Sequence, residues 1–329
     1  QSAVAPKCSD IYISTKTKIS YLNQEIDLHT LFWKVPVVAY HEPRCGVIKK
    51  QMKFNSTSQE ELDKVQSHID NKIFTDQYVL SRIVKNEGRV RFRDVRKISI
   101  GLCKKDITSY RCKKKGAFYN CFALILRINH EGQFKEIHVK VFNTGKLEIP
   151  GIQDDNVLDK TLRLLCDTLK PIMKEGKTLK WYPEKNETVL INSNFSCKYY
   201  IDRDKLYQRL KYHYRINSAF DACSYPGIQC EFFYNTKSKE QTGQHPSTTL
   251  SEKEKADYIK MSFMIFRTGS VLIVGKCNEN ILQDIYEFLK DLLEKEFVNV
   301  NSGVIVEDTT TKTLTKKVRK KTIIVGSTQ

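Results

Sequence analysis

No stretch of this 329-residue sequence reaches the roughly 18 consecutive apolar residues that a membrane-spanning helix needs, and 28% of its side chains are charged. No membrane span is expected, and the first residues lack the charged segment and long apolar run of a leader. Ten cysteines are too sparse for a disulfide scaffold, and none stands in CxxC spacing, so free, mostly buried thiols in a reducing compartment are expected. There is no GxxxxGK phosphate loop. The closest histidines, His130 and His138, flank an expected turn without carboxylates placed as a base or metal set, and read as solvated turn residues. Asp221, Cys223 and His213 define no geometry for thiol catalysis. The expectation is therefore neither an enzyme nor a cofactor protein. Acidic residues are also scarce beside basic ones, 38 against 55.

What is present is a formal charge of +17, a field that attracts polyanions, of which nucleic acid is the commonest in a cell. Length allows two modest cores. Alternation predicts a strand over 11–20, Asp27 caps a short helix ending near Pro36, and a second strand spans Gly46 to Phe54. From about 55 to 115 the pattern changes to an insertion with its own small structure, carrying Arg89, Arg91, Arg93, Arg96 and Lys97 and ending in a basic run. Strands then follow from Phe118 to Ile128 and through Ile137, Val139 and Val141, with a turn at Phe142-Asn-Thr-Gly145, a return strand to Gly151 and a helix to about Met173.

The second half repeats the order. A strand is expected from Val189, Asp202 caps a short helix, Ile228–Tyr234 forms a strand, and 235–257 reads as an exposed loop. Tyr258–Phe266, the turn Arg267-Thr-Gly269, the return strand Ser270–Gly275 and a helix ending near Phe297 complete it. VFNTGKLEIPG at 141–151 overlays IFRTGSVLIVG at 265–275, with Phe142 and Phe266 standing 124 residues apart, which indicates duplication. On the first return strand Glu148 and Pro150 share the side away from the core; on the second, Leu272 and Val274 do. The second sheet is thus apolar on both faces, as a covered core strand, a protein interface or a groove-docking surface would be. The last segment, 298–329, is a basic tail that suits phosphate attraction, a nuclear address or solubilisation.

These paired hairpins resemble those of the TATA-binding protein family, and most closely its divergent relatives in large cytoplasmic DNA viruses. The resemblance covers about 11–54 with 117–173, and 189–234 with 258–297. It implies an α+β fold of two pseudo-symmetric repeats, 11–175 and 189–297, forming a curved antiparallel saddle with helices on its convex face. It also implies a transcription initiation factor that binds AT-rich duplex DNA in the minor groove through the concave sheet and recruits RNA polymerase or another initiation factor. Self-association is a further partner expectation. The site implied is Phe142 and Lys146 in the first hairpin, Phe266 in the second, and Tyr225 of Tyr225-Pro-Gly227 as partner of Phe266. Phe118 or Phe122 would be the first repeat's other wedge, with Cys45 as the alternative placement. Asn192 and Asn194 would meet base edges, Leu272 and Val274 the groove floor, and Asp221 another initiation factor. Glu148 departs from the family pattern, because a carboxylate facing phosphates needs compensation. It motivates the alternative of a DNA-independent interaction module in a viral transcription or virion assembly. The location implied is the host cytoplasm at viral replication sites or the virion, with the nucleus as the alternative.

Overall fold

A computed structural model describes residues 4–69, 74–84, 92–108, 119–173, 178–247 and 249–304. The described residues form two compact units: a first of 18–187, and a second of 4–17 with 188–304. The strand β1 (Tyr12–Tyr21) runs through the boundary, so its N-terminal residues pack with the second unit.

The first unit continues with α1 (Leu28–Lys34), β2 (Gly46–Ser56), α2 (Gln59–Ile69), β3 (Thr75–Ile83), β4 (Arg93–Gly101), α3 (Lys104–Thr108), β5 (Cys121–His130), β6 (Gln133–Phe142), β7 (Lys146–Ile152) and α4 (Asp155–Leu169). Its strands run in the order β1-β7-β6-β5-β2-β4-β3, and those from β7 to β3 pair antiparallel. Asp27 caps α1 by accepting from the Thr30 amide at 3.1 Å, and Val35 ends it. The buried Lys50 ammonium donates to the carbonyls of Phe32 and Val35, placing a cation on the negative end of that helix. Even-numbered residues of β5, from Phe122 to Ile128, join odd-numbered residues of β6 and the α4 face of Leu158, Leu162 and Leu165 in one core. Each such fully buried aliphatic or aromatic side chain stabilises the fold by about 1.5–3 kcal/mol over exposure. Glu131 and Gly132, both at positive φ, close the β5–β6 hairpin with two residues, as a primed turn requires.

The expected insertion proves to be an extension: α2 packs under β2, while β3 and β4 add two strands beyond it. Arg89, Arg91 and the basic run from Arg111 to Lys115 lie outside the described residues, as does the basic tail beyond 304.

The second unit contains β8 (Glu187–Ser196), β9 (Tyr199–Ile201), α5 (Arg203–Gln208), β10 (Asn217–Ala219), β11 (Gly227–Asn235), α6 (Glu252–Lys255), β12 (Tyr258–Phe266), β13 (Ser270–Gly275), α7 (Glu279–Val300) and β14 (Asn301–Val304). Its main sheet runs β10-β11-β12-β13-β8 to the start of β1, and β14 pairs with β9. Odd-numbered residues of β8, β12 and β13 and even-numbered residues of β11 face α5 and α7 in a second core. A π-helical turn at Arg209–His213 continues α5 and sets Arg209 on the buried Glu296 at 2.8 and 2.9 Å. Helix α7 runs to Val300, past the expected stop near Phe297, because Val300 is itself in the core. The expected loop 235–257 carries α6, closed by a reciprocal Ser251–Glu254 capping box.

The same hydrogen-bond set recurs in both units. Gly145 N donates to Phe142 O at 3.0 Å, and Gly269 N to Phe266 O at 2.9 Å. Gly145 O accepts from Leu22 N at 2.8 Å, and Gly269 O from Cys197 N at 2.9 Å. Asn143 O accepts from Ile26 N, and Arg267 O from Ile201 N, each at 2.8 Å. The α+β expectation therefore holds in each unit, as an antiparallel sheet whose principal helices pack on one face.

Candidate nucleic-acid interface

In an antiparallel ladder directly opposed residues point to the same side, so register assigns each candidate to a face. In the second unit Leu272 opposes Asn194 on β8 and Met264 on β12, while Val274 opposes Asn192 and Ser262. Phe266 opposes Gly227, two residues after Tyr225, and the Tyr225 and Phe266 rings lie 5.9 Å apart at 58°. Asn192, Asn194, Tyr225, Phe266, Leu272 and Val274 thus share the face opposite the helices, and all are half-buried. Gly227 makes the ring pair fit: a Cβ there would come within 3.0 Å of Phe266 and 3.2 Å of Tyr225. The Asn192 amide donates to Thr15 Oγ1 at 3.1 Å, and that of Asn194 has no partner among the described residues.

Asp221 shapes the approach to this ring pair. Its carboxylate accepts from Cys223 N at 3.0 Å and from the Ser224 hydroxyl, and its carbonyl accepts from Tyr225 N at 3.0 Å. The Ser224 hydroxyl and then the Cys223 amide hold this carboxyl below the ordinary Asp range. It is a turn cap on an exposed surface.

In the first unit Phe142 and Lys146 lie on the open side, with the Lys146 ammonium 5.8 Å from the Phe142 ring centre. Phe142 opposes Cys121. This pairing sets β5 next to the hairpin and removes Cys45, which precedes β2 on the far side of β5, as the wedge. Phe122 is corrected: it is 0% exposed and meets Phe32 edge-on at 6.4 Å within the core, where no ligand reaches it. Phe118 lies outside the described residues. The residue that sequence reasoning passed over is Tyr119, two before Cys121 as Tyr225 is two before Gly227. It is exposed, and its ring takes the Lys53 ammonium at 3.7 Å. The signal was legible as Tyr119-Asn-Cys121 against Tyr225-Pro-Gly227.

Glu148 faces the open side and directly opposes Lys140, whose ammonium donates to it at 2.6 Å. The compensation a carboxylate needs there is built into the neighbouring strand. Further along the same face the sheet is covered: Ile125 packs with Val38, Cys103 and Tyr40, Lys49 pairs with Asp106 of α3 at 2.7 Å, and Arg127 donates to the carbonyls of Tyr40 and Glu42. The open part of the first unit is consequently the end near Phe142.

Neither histidine is a turn residue: His138 is exposed but lies within β6 opposite Ile125, and His130 ends β5 and is buried beside Asp154, the cap of α4, at 3.5 Å. Burial pushes the Cys103 thiol up to about 11, and no group of three or more metal-ligating side chains occurs among the described residues.

The second unit thus has a half-buried sheet face lined by aromatic, aliphatic and amide side chains, opposite a helix-packed core. No protein-family model matches the chain. It is 26% identical over 208 residues to a TATA-box-binding protein-like protein of Acanthamoeba polyphaga mimivirus, an alignment taking in 59% of this chain and 53% of that protein. The chain thus spans about half the length of this relative. The resemblance to the TATA-binding protein family is borne out, and it is to a divergent viral relative. Among solved structures the chain is also similar to Methanococcus jannaschii TBP, at 10% identity and a TM-score of 0.40, over 87% of this chain and 99% of that one.

Proposed function

We propose that this chain is a TATA-binding-protein-like initiation factor that binds AT-rich duplex DNA along its open sheet faces and recruits transcription machinery through other surfaces. The observation that carries the reading is the gathering of Tyr225, Phe266, Leu272, Val274, Asn192 and Asn194 on one half-buried face of the second unit. The minor groove is a flat, weakly polar surface that sheet readers enter by wedging aromatic rings between base steps. Tyr225 and Phe266 are the wedge at one end, Leu272 and Val274 meet sugars and base edges, and the Asn194 amide meets acceptors on the groove floor. The Lys140–Glu148 pair removes the main electrostatic objection to DNA at the first unit. There Phe142 supplies the ring and Lys146 a cation for phosphate.

Fluorescence anisotropy with an AT-rich duplex tests this reading. Base–aromatic contacts contribute about 1–3 kcal/mol each by alanine substitution, so Phe266→Ala is expected to weaken binding by roughly 5- to 150-fold. Unchanged affinity in both Phe266→Ala and Tyr225→Ala refutes the wedge, and absence of any duplex binding at low salt refutes the function.

A further inference from the structure

Both units carry the same hairpin, but a different residue stands between their rings. Phe266 opposes Gly227 and Phe142 opposes Cys121, so Cys121 takes in the first unit the place of Gly227 in the second. A Cβ at Gly227 would press to 3.0 Å on Phe266 and 3.2 Å on Tyr225. Both distances lie inside ordinary carbon contact of about 3.5–4.0 Å, and a cysteine carries a sulfur beyond its Cβ. Rings that meet over glycine, as Tyr225 and Phe266 do at 5.9 Å, are therefore driven apart over cysteine.

The first unit shows that separation. Cys121 shares the open side with Phe142 and is buried there. Among the described residues Tyr119 and Phe142 make no ring contact with each other, and each takes a cation: the Lys53 ammonium lies 3.7 Å from the Tyr119 ring centre, and that of Lys146 lies 5.8 Å from the Phe142 ring centre. Hydrogen bonding from Lys53 first, and from Arg93 in the same sense, holds the Tyr119 hydroxyl below the ordinary tyrosine range. In the second unit Ser270 takes the place of Lys146, and no cation caps Tyr225 or Phe266 among the described residues.

Opening a base step costs unstacking free energy that a wedge recovers through its apolar area. Touching rings give a broad blade, whereas a lone ring must first give up the cation on its face. We propose that the residue at this position decides which unit kinks a duplex. Gly227 lets Tyr225 and Phe266 act as one wedge, and Cys121 keeps Tyr119 and Phe142 apart, so that the first unit holds sugar and phosphate without opening a step. This division of labour rests on the DNA-binding reading above and adds a positioning residue and a polarity to it. Pyrimidine–purine steps unstack most easily, so an AT-rich site with one such step at an end is bound with that step at the second unit.

Two variants test it, each read as end-to-end energy transfer across a dual-labelled AT-rich duplex at saturating protein, with affinity followed by anisotropy. Gly227→Cys keeps both rings of the second unit and places the first unit's residue between them. It is expected to lose the bend, returning the efficiency toward that of free DNA, while the duplex is still bound. Its crowding falls on rings of the open face, not on the core, and an unchanged melting temperature checks that the fold is kept. The double variant Tyr119→Ala, Phe142→Ala removes one exposed and one half-buried ring, and keeps the test decisive if Gly227→Cys fails to fold. It is expected to weaken affinity yet to reach the full wild-type efficiency once saturated. Gly227→Cys that bends DNA as strongly as wild type, or a saturated first-unit double variant whose efficiency falls toward that of free DNA, overturns the division of labour and leaves DNA binding standing. Wild-type protein that binds no duplex, or binds one without bending it, overturns the wedge reading as well.

Discussion

Replacing Phe122 and Phe142 separately by alanine distinguishes the two faces of one hairpin. Phe122 is 0% exposed and packed edge-on against Phe32, so Phe122→Ala removes transfer free energy and leaves a cavity, a cost of about 3–5 kcal/mol. Phe142 is half-buried on the opposite side and loses part of a side chain's burial, about 1 kcal/mol. Two units need not unfold together, so the readout must belong to one of them. Both tryptophans of the chain, Trp33 and Trp181, pack against the first unit's core, and intrinsic fluorescence during urea unfolding therefore follows that unit. With m-values of about 1–3 kcal/mol per molar urea, the Phe122→Ala midpoint should fall by roughly 1–5 M, and the Phe142→Ala midpoint by about 0.3–1 M, three- to fivefold less at any one m-value. Duplex affinity should respond to Phe142→Ala at urea-free conditions where both variants are folded. Equal midpoints, or a larger shift for Phe142→Ala, would refute the assignment of Phe122 to the core.

Gly269 sits at φ +74°, and a Cβ there would lie 2.3 Å from the Tyr199 carbonyl oxygen. Gly269→Ala is expected to cost more than the roughly 1–2 kcal/mol of a left-handed alanine, seen as a lower melting temperature, because backbone must also move. Glu296 gives a pH dependence. Burial pushes its carboxyl up, but hydrogen bonds from Arg209, Asn299 and Tyr214 outweigh that and leave it below the ordinary value of 4.5. A depressed folded pKa contributes stability that is present above the unfolded value and lost as pH falls through the folded one. Melting of the wild-type second unit should therefore weaken from about pH 4.5 downward, and Glu296→Gln should flatten that part of the profile.

The hairpins, their glycine turns and the following helices were legible because each follows from local periodicity and turn chemistry. Asp27, Asp154 and Asp202 cap their helices through ordinary local bonds that a sequence displays. The strands β3 and β4 were not assigned to the sheet, since their partners are set by tertiary pairing. Face was the harder inference. Phe122 and Tyr119 differ by three residues, and only the register of Cys121 with Phe142 shows that one points into the core and the other toward Lys53. The buried His130 was misread for a similar reason: its position beside a turn suggested solvent, while the N-terminus of α4 covers it. Glu148 looked disqualifying because its neutralising lysine lies eight residues away along the chain and directly opposite across the ladder.

The most direct test of the account is the bend that the protein imposes on DNA, read as the end-to-end energy-transfer efficiency of a dual-labelled AT-rich duplex at saturating protein. Wedging proteins kink duplexes by 20–90°, so wild type should raise the efficiency, and the Tyr225→Ala, Phe266→Ala double variant should return it toward that of free DNA. A saturated wild-type complex with the efficiency of free DNA, or a double variant that bends as strongly as wild type, would contradict the claim that the Tyr225–Phe266 face opens the minor groove.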